Sequence, residues 1–154
     1  MNPAIQDLYP DDFAHCFGCG RNNSEGHKLK SFVDGDEVVA DFTPAAHYIS
    51  VPGFVYGGLL ASLVDCHAMA TAAAAAELAD GRRIGEGQVA RYVTAALKVE
   101  YLKPTPLGPQ LHIRGKVTER TEKKAVVALT VVAQGTVTVR AEAVAVRIPR
   151  NMMA

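Results

Sequence analysis

Residues Gly53–Asp80, GFVYGGLLASLVDCHAMATAAAAAELAD, constrain the fold more tightly than any other stretch. Leu59, Leu60, Leu63, Val64, Ala68 and Met69 leave almost no polar face, so the segment predicts one long helix enclosed by the rest of the chain. Gly57-Gly58 opens it, and Asp80-Gly81 ends it with glycine as a left-handed terminator. The Ala70–Ala76 run is strongly helix-forming and thin, so a sheet can curl closely around it. One acid, Asp65, falls in the apolar interior of this helix. A carboxylate there is costly unless it is paired, hydrogen-bonded or used in chemistry.

The remaining sequence reads as the sheet. Lys28–Val33 and Glu37–Thr43 flank Asp34-Gly35, a hairpin signal, and Pro44 ends the second of these strands. Four longer segments, Val89–Leu102, Gln110–Glu119, Ala125–Gln134 and Thr136–Ile148, alternate with period two. In the first, Val93, Ala95, Leu97, Val99 and Tyr101 share a face, with Thr94, Lys98 and Glu100 opposite. Short links at Pro104–Gly108, Glu119–Lys124 and Gln134-Gly135 predict a continuous antiparallel meander. The expected architecture is α+β: one long central helix wrapped by a curved antiparallel sheet of about five to six strands. Residues 1–154 read as a single domain, with 1–28 an N-terminal extension and 1–14 lying over the surface.

Sixteen basic residues balance sixteen acidic ones, which argues against nucleic acid or a membrane surface as partner. The apolar part of the helix is interrupted by Asp65, His67 and Thr71, so no membrane span is expected. MNPAIQDLYPDDF has neither a basic start nor an apolar run, so no export signal is expected. Cys16, Cys19 and Cys66 form an odd set that suits reduced thiols in a cytoplasm. His15, Cys16 and Cys19 could supply three zinc ligands, yet structural zinc takes four and no second cysteine pair exists. A redox motif would need a helix start there. The CFGCG segment therefore reads as a structural turn, with no metal and no cofactor expected.

The order of elements, the Gly-Gly helix start, the acid on the helix and the Tyr101-Leu102-Lys103-Pro104 strand end together resemble the hot-dog fold. More narrowly, they resemble the PaaI-like acyl-CoA thioesterases, over about Val38–Ile148. The early CFGCG followed by Asn22, Gly26 and Leu29 also recurs in that superfamily. The resemblance implies roles for particular residues. Asp65 takes the place of the general base or nucleophile, and Gly57 that of the backbone N–H polarising the thioester carbonyl, with Gly58 beside it. Thr94 takes the place of the residue that helps position the attacking water, and Ser50 that of an Asn or Gln before the helix. Tyr56 replaces the family's His; it can donate a hydrogen bond but carries no positive charge. Coenzyme A would be met by Tyr101 and Lys103 at the strand end, and by Arg120, Lys123 and Lys124 at the next hairpin. The family pairs its subunits at the site, which implies a homodimer or a dimer of dimers.

These roles have a basis in the residue chemistry. A desolvated carboxylate binds a proton more readily, which suits a general base. Amides at a helix start favour developing negative charge, although Gly57-Gly58 serves equally to let helix and sheet pack closely. Strict alternation puts Thr94 on the face away from the helix, where it would reach Asp65 only across a subunit boundary or beside a bulge. His67 points about 200° away from Asp65 around the helix and reads as a core or interface residue. Cys66 reads as packing, and His27 and His112 as surface residues. An acyl-CoA thioesterase is expected; a non-catalytic acyl-CoA or aromatic-ligand binder and a hot-dog hydratase or dehydratase are the other readings.

Overall fold

The computed structural model describes residues 2–152. Helix α1 (Gly57–Ala79) lies in the concave face of one antiparallel sheet. The six strands are β1 (Phe32–Asp34), β2 (Glu37–Phe42), β3 (Tyr92–Tyr101), β4 (Leu111–Arg120), β5 (Lys124–Ala133) and β6 (Thr136–Arg147). Their spatial order is β1-β2-β4-β5-β6-β3. The four long strands fall within a few residues of where period-two alternation puts them.

The continuous meander does not form. β4, β5 and β6 are consecutive neighbours, but β3 pairs with β6 and β4 with β2. The link 102–110 is a crossover along the end of the sheet, not a hairpin. Its backbone is engaged elsewhere: Val55 N–H donates to Thr105 O at 2.9 Å, and Leu107 N–H to Gly53 O at 2.9 Å. β3 is thereby left as a free edge of ten residues, with Val93 47% and Tyr101 53% exposed.

The helix packs as its Ala-rich sequence requires. A Cβ at Gly115 of β4 would sit 2.4 Å from Thr71 Oγ1, so glycine permits the closest helix–sheet approach. Gly115→Ala is expected to lower the unfolding free energy by about 1–3 kcal/mol through overpacking, read as a drop in the urea midpoint.

Four further expectations change. By length and mean hydropathy of 1.5, α1 does qualify as a membrane-crossing candidate, although 78% of that window is buried within the fold. The N-terminal residues are not laid over the surface, since Ala4, Ile5, Gln6, Tyr9 and Ala14 are buried. Residues 28–31 are not strand; Ser31 instead accepts from the Ile5 N–H through its carbonyl at 2.9 Å and fixes this segment. Finally, the deeply buried acid of α1 is Glu77, at 3% exposure, not Asp65. Glu77 accepts from Ala90 N–H at 3.1 Å and pairs with Arg82 at 2.7 Å, so its charge is satisfied.

Candidate active site

Asp65 lies half-buried on the side of α1 that faces β3. Its Oδ1 accepts a hydrogen bond from Thr94 Oγ1–H, within a single chain. A β-bulge explains this contact. The β3–β6 register jumps between Thr94 and Ala96, so Tyr92 and Thr94 face the helix before it, and Leu97, Val99 and Tyr101 after it. The single alternating face expected for Val93 through Tyr101 is therefore broken, and Val93 points outward. Ser62, one turn before Asp65, does not bind the carboxylate; its buried Oγ has no partner among the described residues.

Gly57 occupies the first helical position, where an N–H has no intrahelical acceptor. Tyr101 Oη–H donates to Gly57 O at 2.8 Å and ties the helix start to the end of β3. Tyr56 is 56% exposed and folds its ring over Gly58. A Cβ at residue 58 would lie 2.4 Å from that ring, so a side chain there would displace the tyrosine from this position. Ser50, Phe54, Gly57, Leu60, Tyr101 and Lys103 line a cleft of about 410 Å³ at this end of the molecule.

The other predicted residues lie apart. Arg120 and Lys123 border a larger cavity of about 770 Å³ with Asp80 and Arg147, and Lys124 begins β5 at the same end. That end is where Tyr92 pairs with Arg147, while Lys103 follows Tyr101 at the other. The length of β3 separates them by roughly 30 Å at 3.3 Å per residue. Asp65 and Gly57 are likewise separated by about 12 Å of helical rise, for eight residues at 1.5 Å each. One chain does not bring the carboxylate and the amide together.

His67, the alternative base, is excluded from this chemistry by its surroundings. It is fully buried; its Nε2–H donates to Val38 O at 2.8 Å, and its Nδ1 accepts from Ser31 Oγ–H at 2.8 Å. Gln6 completes the network by donating to Ser31 Oγ at 2.8 Å. Burial pushes the imidazole from 6.5 down to about 4. The unfolded chain thus binds a proton that the folded one refuses between these values. Stability is full above pH 6.5 and falls on the order of 3 kcal/mol as pH drops through 4. Urea unfolding of the wild type should show this slope, and His67→Gln should lack it. His112 is on the surface beside Asp41, whereas His27 is half-buried against Phe17, Phe42 and Tyr48, with Nδ1 2.7 Å from Tyr48 Oη.

The sequence profile of the thioesterase superfamily matches residues 52–146, which contain α1 and strands β3 to β6. The chain belongs to the thioesterase superfamily. Among solved superfamily structures, a protein from Shewanella loihica PV-4 is 37% identical over 90% of this chain and 98% of its own, with a TM-score of 0.66. The E. coli PaaI protein of the phenylacetic acid degradation operon shares the fold at 18% identity, covering 80% and 81% of the two chains, with a TM-score of 0.65. A Streptococcus mutans UA159 protein bound to acetyl CoA does so at 19% identity, covering 78% and 88%, with a TM-score of 0.60. No curated protein matches the sequence. The wrapped helix with its six-stranded antiparallel sheet is thus the hot-dog fold of this superfamily.

Proposed function

We propose that the protein hydrolyses the thioester of an acyl- or aryl-acyl-coenzyme A. Asp65 acts as general base or nucleophile, Thr94 orients it or its water, and the Gly57 N–H polarises the carbonyl. The observation that carries this reading is the Thr94–Asp65 hydrogen bond on an open edge strand, at a bulge that alternation alone would not allow. Superfamily membership, and the acetyl CoA bound by the S. mutans protein of the same fold, support the substrate class.

The separation of Asp65 from Gly57 gives the site its oligomeric requirement. Asp65 faces the start of β3 and Gly57 its end. Antiparallel pairing of two β3 edges about their middle would set the Asp65 of one copy beside the Gly57 amide of the other. It would cover Val93 and desolvate the carboxylate, which a single chain leaves half-exposed. It would also gather Lys103 of one copy and the Arg120, Lys123 and Lys124 end of the other along the same side, where phosphates could be met. The proposed assembly is a homodimer or a dimer of dimers. Tyr56 serves by packing on Gly58 and by its hydroxyl, and Ser50 lies at the cleft mouth. The hydrolysis requires no cofactor, and the proposed compartment is the cytoplasm.

A panel of acyl-CoAs with free-thiol detection tests the reading: thiol release on at least one member is expected. Binding of acyl-CoA without thiol release would establish the non-catalytic reading, which the Tyr56 substitution favours. Loss of enoyl absorbance without thiol would mark a hydratase.

A further inference from the structure

The turn around Cys16 does more than cap the fold. Cys66, in the middle of α1, meets Cys16 and Cys19, and the three Sγ atoms lie within 4.8 Å of one another. Cys16 Sγ and Cys66 Sγ are 3.7 Å apart. All three thiols are free. His15, the third ligand that the sequence suggested, is exposed and outside the group. We infer that Cys16, Cys19 and Cys66 bind one thiophilic divalent cation of the zinc class, with solvent in the fourth position. This departs from the expectation of a metal-free chain, and it is independent of the thioester chemistry.

The spacing fits such an ion. Sulfurs held about 2.3 Å from a tetrahedral zinc lie about 3.8 Å from one another. The backbone is also built for convergence. A Cβ at Gly18 would stand 2.3 Å from Cys66 Sγ, so only glycine admits the helix thiol into the turn. A Cβ at Gly20 would stand 2.5 Å from both Ala14 O and Cys16 N, so the turn closes only with glycine there too. Gly20 N–H donates to Cys16 O at 2.7 Å and closes this turn.

A separate observation concerns the buried surroundings of these thiols. Tyr9 is buried at 3% exposure, and its hydroxyl has no partner among the described residues. Tyr9 belongs to the same buried cluster as Cys19 and Cys66, and Cys16 packs against that cluster. The Tyr9 hydroxyl is a donor lacking an acceptor, and a metal-bound water or thiolate would supply one. Arg91 stacks on the Tyr9 ring with its guanidinium 4.6 Å from the centroid. Three thiolates around a divalent ion carry one net negative charge, and this cation offsets it. Binding sends three thiol protons to solvent, while the ion keeps a water as fourth ligand. A disulfide would use two of the sulfurs and leave the third; a metal uses the whole set. Cys16, half-buried, gives the ion its way in. The bound ion would pin the N-terminal segment to α1 one residue from Asp65.

The test uses the full chain, reduced and stripped with a chelator, then titrated with cobalt(II) and afterwards zinc(II). One cobalt per chain is expected, with a thiolate-to-cobalt charge-transfer band that zinc abolishes at equal stoichiometry. All three thiols should become protected from a disulfide reagent. Saturating zinc at a hundredfold excess over Kd should raise Tm by roughly 5–10 °C. Cys16→Ser, at the most accessible ligand, should fold as the wild type does by circular dichroism yet bind about tenfold or more weakly. Cys66→Ser should lose the band, and Cys16→Ser keeps the test readable should that variant not fold. A missing band, a band unaltered in Cys16→Ser, or a stable disulfide that forms in air and binds no cobalt when reduced would each overturn the site.

Discussion

Asp65→Asn is expected to lower kcat for acyl-CoA hydrolysis by about 10²–10⁴-fold, the contribution typical of a positioned general base. The substitution keeps the shape of the side chain, and its remaining carbonyl oxygen can still accept from Thr94 Oγ1–H. Since Asp65 is only half-buried and pairs with no cation among the described residues, the fold should lose little stability. Thiol release and thermal unfolding measured on the same preparations separate the two effects. Thr94→Val should cost less, because it removes the group that aims the carboxylate and not the carboxylate itself. Wild-type turnover in Asp65→Asn would remove this residue from the chemistry and leave binding without catalysis as the better account.

Gly57→Pro isolates the amide. Proline is favoured at the first helical position, where the missing N–H has no intrahelical acceptor to lose. Tyr56, at φ −59° and ψ 128°, already has the extended conformation that a following proline demands. A Cβ at residue 57 would rest 3.4 Å from the Tyr101 ring, an ordinary contact. The variant should therefore fold while losing an oxyanion donor, with a fall in kcat of about 10²–10³-fold. Gly57→Ala, which keeps the N–H and adds the same Cβ, should retain most of the rate. Equal losses in both would assign the glycine to packing alone.

What could be read without coordinates follows from the range of each signal. The limits of α1 and of the long strands come from local periodicity and turn residues, as at Gln134-Gly135, where both φ values are positive at 51° and 78°. Strand order is not local. Pro104, Pro106 and Gly108 look like a hairpin corner, and only the pairing of Tyr101 with Val139 reveals a crossover. The bulge beside Thr94 is likewise silent in the sequence, because Val93, Ala95 and Leu97 alternate as in a regular strand. Gly58 was legible as a close approach but not as the seat of the Tyr56 ring. Glu77 was hidden by its place near the helix end, where an exposed acid would be ordinary. The Cys66 contact depends on an N-terminal segment of low hydrophobicity turning inward, which Gln6, Ser31 and His67 achieve through a hydrogen-bond network rather than through apolar pattern.

The long apolar helix has a consequence during synthesis. Gly57–Ala79 leaves the ribosome ahead of every strand from β3 to β6, and the last of these ends at Arg147. At typical elongation rates of about 5–20 residues per second, a greasy segment of membrane-spanning length stays uncovered for several seconds. Nascent chains of this protein must be shielded over that interval, and any pause before the final strand lengthens their exposure to wrong partners.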